Sequence, residues 1–499
     1  MTEGQMTDGR MTEAYDVAVV GAGPAGLTAA TTMAGCGLRV VLLDAGGRPG
    51  GQYFRHRDDA SADAYGRGFR ALHSALATQV AAGQVAYRPR HQVWNVEHAQ
   101  RFTIHALDES DSGRPVSREA EAEALVVATG AYDRQLPFPG GDLPGVVAAG
   151  GAQALLKGSG VLVGQRIVVA GSGPFLLPVA AGLAEAGARV VGVYEAARAR
   201  RYLRHPRVLF RHPGRFTEVA SYAGKLARHR IPYRTGHAVT EAHGHDSLTG
   251  VTVARLDARS RPLPGTEVSV ACDALAVGFG FTPQLDLLVE LGCEVTVGGG
   301  SPVVAVDLDQ RTTVEGVYSA GETTGIGGAA LALVEGELAG LAVLAARGVP
   351  VDMARRERLR RRRDALRTFA SVLDEVHTLP ASWLVALPDD ALVCRCEEVT
   401  AGAVRRAVRD LGATDPRSVK LLTRTGMGWC QGRTCAAATL ELTAALTGRP
   451  VTADDVLALT RRPFAHPVPL GILADLDVPD PTDLTDLTDD RIGTGEGER

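Results

Sequence analysis

YDVAVVGAGPAGLTAATTMAGCGLRVVLLD, residues 15–44, holds a strand, a glycine turn, a helix and a second strand. The apolar run YDVAVV breaks at Gly21, and LRVVLLD closes on Asp44. Between them, LTAATTMAG is built from small residues that let a helix lie close on a sheet. In the turn GAGPAG (21–26), Gly21 permits the tight reversal, Gly23 lets backbone approach a pyrophosphate, and Gly26 lets helix and strand pack. The helix N-terminus then faces the phosphates. Asp44, 18 residues past Gly26, can accept bonds from ribose hydroxyls. Gly21, Gly23, Pro24, Ala25, Gly26 and Asp44 are therefore candidate dinucleotide contacts, and the expected fold class is α/β.

The unit recurs. RIVVA (166–170) leads into GSGPFL, a helix through Leu183, and a strand ending at Glu195. Gly171 and Gly173 are retained, but the third glycine position holds Leu176, whose side chain is expected to push the helix off the strand. Glu195 would favour a free 2′-hydroxyl, with Arg198, Arg200 and Arg201 close behind. Either NAD(P) or an adenine nucleotide binds here, or the domain keeps the fold without a ligand. Residues 167–184 are uncharged over a membrane-spanning length, yet their glycines and prolines mark strand, turn and helix. Two further pieces, 124–134 and 312–340, complete the first unit around the second. The expected order is a discontinuous domain (14–157 and 283–350) enclosing an inserted nucleotide-type domain (158–282).

Four cysteines near the C-terminus carry other chemistry. Cys394 and Cys396 form C-x-C, and Cys430 and Cys435 form C-x4-C after a gap of 33 residues. Four thiolates suit a [2Fe–2S] cluster, two per iron. Zinc pairs are usually spaced two to four residues apart, so the C-x-C half fits zinc poorly. A redox disulfide of the flavoprotein reductase type would sit in the first domain soon after the second strand, a region that carries only Cys36.

The chain has 499 residues, room for about three domains. A net charge of −4 argues against nucleic acid as the main partner. Polar, acidic residues 1–16 contain no apolar signal region, and the scattered remaining cysteines suit a reducing compartment, so a cytoplasmic protein without an integral membrane segment is expected. The arginine-rich run 352–367 reads as a solvated helix in a linker spanning 351–389, with Met353, Leu359 and Leu366 as a thin apolar face. A helix capped by Thr400, with Val404, Val408 and Leu411 inward, and another from near Cys435 bracket the cysteines in a small domain at 390–447. Trp383 and Trp429 suit either core packing or partner contact. The tail 475–499, nine acids against two arginines, is expected to be disordered.

GAGPAG, RPGGQ (48–52), ATGAYDR, AGGAQALLK (149–157), SAGETTGIGGA, CRCEEVT and GMGWCQGRTC together resemble the FAD-containing subunits of opine oxidase, hydrogen cyanide synthase and multi-subunit proline or D-hydroxyproline dehydrogenases. The resemblance runs from Tyr15 to about Ala474. It implies a two-dinucleotide-domain flavoprotein of the thioredoxin reductase type, with an α-helical [2Fe–2S] domain like bacterioferritin-associated ferredoxin. By matching motif, Gly21, Gly23 and Gly26 would hold the FAD pyrophosphate and Asp44 its ribose, with Gln52 near the isoalloxazine. Thr129 and Gly130 would pack on the turn, and Gly321-Glu322 would lie by the ribityl chain, with Glu322 where relatives usually have Asp. The helix from Gly328-Ala329 would face the flavin N1/O2 edge. The resemblance also implies two partners: a second flavoprotein subunit, which oxidises the amine or amino acid, and a small ferredoxin-like subunit. The alternatives are a self-sufficient NAD(P)H-dependent reductase feeding its own cluster, or a ferredoxin-type docking module.

Overall fold

The computed structural model describes residues 13–57, 66–110, 113–211, 213–298, 301–380 and 382–474. Most of the leading segment and the acidic tail 475–499 lie outside the described residues.

The first sheet runs Val85–Pro89, Val40–Asp44, Ala14–Val20, Val116–Val127, all parallel. It continues antiparallel through Phe102–Asp108 to His91–His98. Val317–Ser319 arrives after the insertion and pairs parallel with the end of Val116–Val127. Helix Ala329–Ala346 then crosses helix Pro24–Ala34 so closely that a Cβ on Gly336 would lie 2.1 Å from the Ala25 carbonyl oxygen. Among the described residues Ala329–Ala346 is the one helix long and apolar enough to cross a membrane, and two-thirds of it is buried in this core.

The inserted unit has a parallel sheet in the order Tyr233–Thr235, Arg189–Glu195, Arg166–Gly171, Ala274–Gly278, Val146–Ala148. Val146–Ala148 thus joins the second sheet ahead of residue 158, where the sequence placed the start of that unit. The helix after the second glycine turn starts at Leu176, whereas its counterpart starts at Pro24, directly after Gly23. Starting later gives Leu176 a fully buried place in the core, 3.5 Å from where a Cβ on Gly278 would sit. The two chain crossings, Ala131–Asp133 and Phe281–Pro283, pair antiparallel.

The arginine-rich run is helical, Met353–His377, but it is not simply solvated. Arg356 and Arg360 both grip Asp309, which is buried, and Arg363 donates to the Asp307 carbonyl. One arginine face therefore docks on the first domain by ion pairs, where an apolar face would otherwise be needed.

In the cysteine domain Thr400 caps helix Ala401–Arg409, accepting from the Ala403 amide at 3.2 Å, and Val404 is buried. Leu411 is 62% exposed instead of inward, because the helix ends at Arg409 and the inward register is lost. Trp383 is core, while Trp429 is 89% exposed. After helix Ala436–Thr447 the chain returns to the first domain. Phe464 packs edge-on against Trp94 at 5.2 Å, and the Ala465 amide donates to the Trp94 carbonyl at 2.9 Å.

Candidate redox sites

The first glycine turn is a cradle with no room for side chains on its floor. A Cβ on Gly26 would lie 1.8 Å from the Gly21 carbonyl oxygen, and one on Gly21 (φ +103°) 2.3 Å from that of Ala128. A Cβ on Gly23 would meet nothing within 4 Å, so its surface faces open space. Asp44 accepts from the amides of Ala22 and, at 2.5 Å, Gly46, while remaining half-buried. Gly51 approaches the Cα of Gly23, and Gln52 beside it is exposed. Thr129 donates to the Gln284 carbonyl at 2.9 Å, which positions Gly130 next to the turn. An open diphosphate cradle beside a half-exposed carboxylate fits FAD.

The facing wall is Gly321–Ala329. Glu322 accepts from the amides of Gly327 (3.2 Å) and Gly328 (2.9 Å), which turns its carboxylate onto the loop leading into helix Ala329–Ala346. Burial pushes its carboxyl up to about 7 against the pull of those amides. Behind it, fully buried Glu335 accepts from the Gly321 amide (3.0 Å) and from Thr324 (2.9 Å). Arg367 of the long helix completes the cluster, reaching Glu335 at 2.5 Å and the Gly325 carbonyl at 3.0 Å. Sequence reading missed Arg367 and Glu335. The available signal was the helical spacing of Arg356, Arg360, Arg363 and Arg367, which share one face.

In the second turn, Gly171 (φ +137°) sits against the Gly278 carbonyl, and Glu195 accepts from Gly173 (3.0 Å) and Ala197 (2.9 Å). The fold of a dinucleotide site is present, but Ser172, Gly173 and Glu195 are buried. A Cβ on Gly173 would nonetheless meet nothing within 4 Å, as at Gly23.

The four thiols converge. Cys394 and Cys430 both interact electrostatically with Cys435, and Cys396 with Cys430. The Cys435 contact, then the amides of Gly426, Glu397 and Cys396, draw the Cys394 thiol down to about 6. The Cys435 contact and the Thr434 amide draw Cys430 down to about 4. Such donors stabilise thiolate charge. Among the described residues no three such groups close around a single metal ion. Four thiols with backbone donors supply the ligand set of a [2Fe–2S] cluster, two per iron. Cys394 and Cys435 are buried and Cys396 is exposed, so one edge of the site reaches solvent.

Residues 15–336 match the model for pyridine nucleotide-disulphide oxidoreductases, and residues 392–445 match that for BFD-like [2Fe–2S] binding domains. The chain belongs to the pyridine nucleotide-disulphide oxidoreductase family. It is 34% identical to hydrogen cyanide synthase subunit HcnB of Pseudomonas aeruginosa, covering 92% of this chain and 98% of that one. It is equally 34% identical to an opine oxidase subunit of Rhizobium meliloti, covering 93% and 99%. The crystal structure of L-proline dehydrogenase from P. horikoshii shares the fold, with a TM-score of 0.67, 21% identity, and 93% and 80% of the two chains covered. The protein is thus an FAD-dependent oxidoreductase of the two-dinucleotide-domain type with a [2Fe–2S] domain. Its relatives are subunits of multi-subunit enzymes.

Against the usual chemistry of this family, the described residues hold no cysteine pair by the first glycine turn. Cys36, Cys272 and Cys293 are free thiols, and the quartet is the one gathering. What the family fold does carry here is a fastened cysteine domain. Arg134 pairs with Glu441 across the seam, and Asp286 takes both Arg433 (3.3 Å) and Arg462, with all of these side chains largely buried.

Proposed function

We propose that this chain is the electron-relaying subunit of an amine- or amino-acid-oxidising complex in the cytoplasm, working with a partner flavoprotein and with a small ferredoxin-like subunit. FAD exchanges electron pairs, and a [2Fe–2S] cluster carries single electrons onward. The observation that carries this reading is the seam itself. Arg134–Glu441 and the Asp286–Arg433–Arg462 triad hold the cysteine domain against the FAD domain in one fixed arrangement, as a relay between two cofactors requires. In this reading Gly21, Gly23, Pro24, Ala25 and Gly26 bind the pyrophosphate and Asp44 the ribose. Gln52, Thr129, Gly130, Gly321, Glu322, Gly328 and Ala329 surround the rest of FAD. Cys394, Cys396, Cys430 and Cys435 hold the cluster.

The chain's own residues bind, orient and tune. Arg367 and Glu335 lock the Gly321–Gly325 turn, so the wall facing the cradle is preformed. Relatives named for opines and for hydrogen cyanide synthesis, as subunits of larger enzymes, support an amine-type donor on a partner. The test is dye reduction with proline, hydroxyproline, glycine and opines. Turnover is expected only on co-expression with a second flavoprotein subunit. Sustained turnover by this polypeptide alone contradicts the reading.

A further inference from the structure

The two glycine turns share one architecture and differ in access. Asp44 and Gly23 of the first are half-exposed. Their counterparts in the second, Glu195 and Gly173, are buried, Glu195 being 2% exposed. The cover is the C-terminal end of the long helix Met353–His377, a segment nearly two hundred residues further along. Ser172, inside the turn, donates its hydroxyl to the His377 carbonyl at 2.6 Å. The His377 ring lies with Nδ1 3.5 Å from the Glu195 carboxylate, and its Nε2 meets the Tyr202 hydroxyl at 2.6 Å. Arg201 donates to the Val376 carbonyl at 3.0 Å. Val372 and Val376 pack on Ala197, with Tyr202 and Val208 beside them.

Glu195 is the carboxylate that a dinucleotide ribose would approach, and Ser172-Gly173 the turn its phosphates would approach. His377 stands at the first and accepts from the second. We propose that the inserted domain is closed by this chain's own helix end, binds neither NADH nor NADPH, and delivers no hydride to the flavin. The arginines after Glu195, which in sequence could serve a 2′-phosphate, include one already committed to the helix end through Val376. The same helix locks the FAD wall through Arg367, ten residues earlier. Opening the second site therefore requires moving an element that also supports the first.

The test uses the full chain loaded with FAD. Isothermal titration with NADH and NADPH is expected to show no saturable binding up to about millimolar ligand. The anaerobic flavin absorbance is expected not to bleach with either. Saturable binding or stoichiometric bleaching overturns the proposal. His377→Gly removes the ring from Glu195 and is expected to create measurable NADH binding. A folded variant, judged by circular dichroism and flavin content, that still binds nothing would overturn the claim that the helix end closes the site. If His377→Gly does not fold, Tyr202→Phe with Val376→Ala loosens the same contact and is judged by the same titration and the same outcomes.

Discussion

Asp286 pairs with two guanidinium groups at the seam between the FAD domain and the cysteine domain, and its replacement tests whether that seam is held electrostatically. Asp286, Arg433 and Arg462 have side chains only 10%, 12% and 10% exposed. Arginine cannot shed its proton, so in Asp286→Ala both charges stay and must be tolerated or hydrated. Removing one member of a buried pair costs about 3–5 kcal/mol. Here Arg433 keeps the carbonyls of Ala465 and Cys430, and Arg462 keeps that of Gln431. The lower end, about 3 kcal/mol, is therefore expected, a roughly hundredfold shift toward the undocked form. The Ala465 amide, which donates to the Trp94 carbonyl across this seam, reports it directly. Its hydrogen exchange should accelerate by about two orders of magnitude. Flavin-to-cluster electron transfer should slow in parallel. An Ala465 exchange rate unchanged from wild type, with an unfolding free energy from urea titration changed by less than about 0.5 kcal/mol, would refute the reasoning.

Two further outcomes follow from the sites. Cys394→Ser should lose the two iron and two acid-labile sulfide expected per chain for a [2Fe–2S] centre, measured on anaerobically purified protein. Stoichiometric zinc without iron in the wild type would be inconsistent with it. Glu322, with a carboxyl near 7 when folded against an ordinary 4.5, favours the folded state most below about 4.5 and loses that contribution as pH rises through about 7. The change amounts to about 3 kcal/mol. The thermal midpoint of the wild type should fall across that window, and that of Glu322→Gln should be flatter. Parallel profiles in the two proteins would show that Glu322 is not the titrating group.

Much of this architecture is legible in the chain because its signals are local. A glycine turn between two apolar strands and a cysteine quartet need only their own neighbours to be recognised. What escaped was tertiary. Asp309 and Glu335 are what turn the arginine stripe of 353–377 from a solvated face into a docking face, and neither adjoins it in sequence. His377 meets Glu195 only once the inserted domain has folded back on the long helix. Leu411 followed the helical period in sequence, but the period stops two residues before it. Trp383 and Trp429 looked alike, and only packing separated a core residue from a surface one. The bonds that hold the Glu322 carboxylate, from the Gly327 and Gly328 amides, depend on how the loop before helix Ala329–Ala346 folds back.

The central claim is that electrons pass between FAD and a [2Fe–2S] cluster held in this chain, and that a partner flavoprotein supplies them. Electron paramagnetic resonance on the co-expressed complex, frozen anaerobically after mixing with an amine substrate, tests it most directly. The account predicts a reduced [2Fe–2S] signal that grows with amine, is absent from the isolated chain given the same amine, and is absent from the Cys394→Ser complex. A cluster that stays oxidised while the complex turns over amine would contradict it.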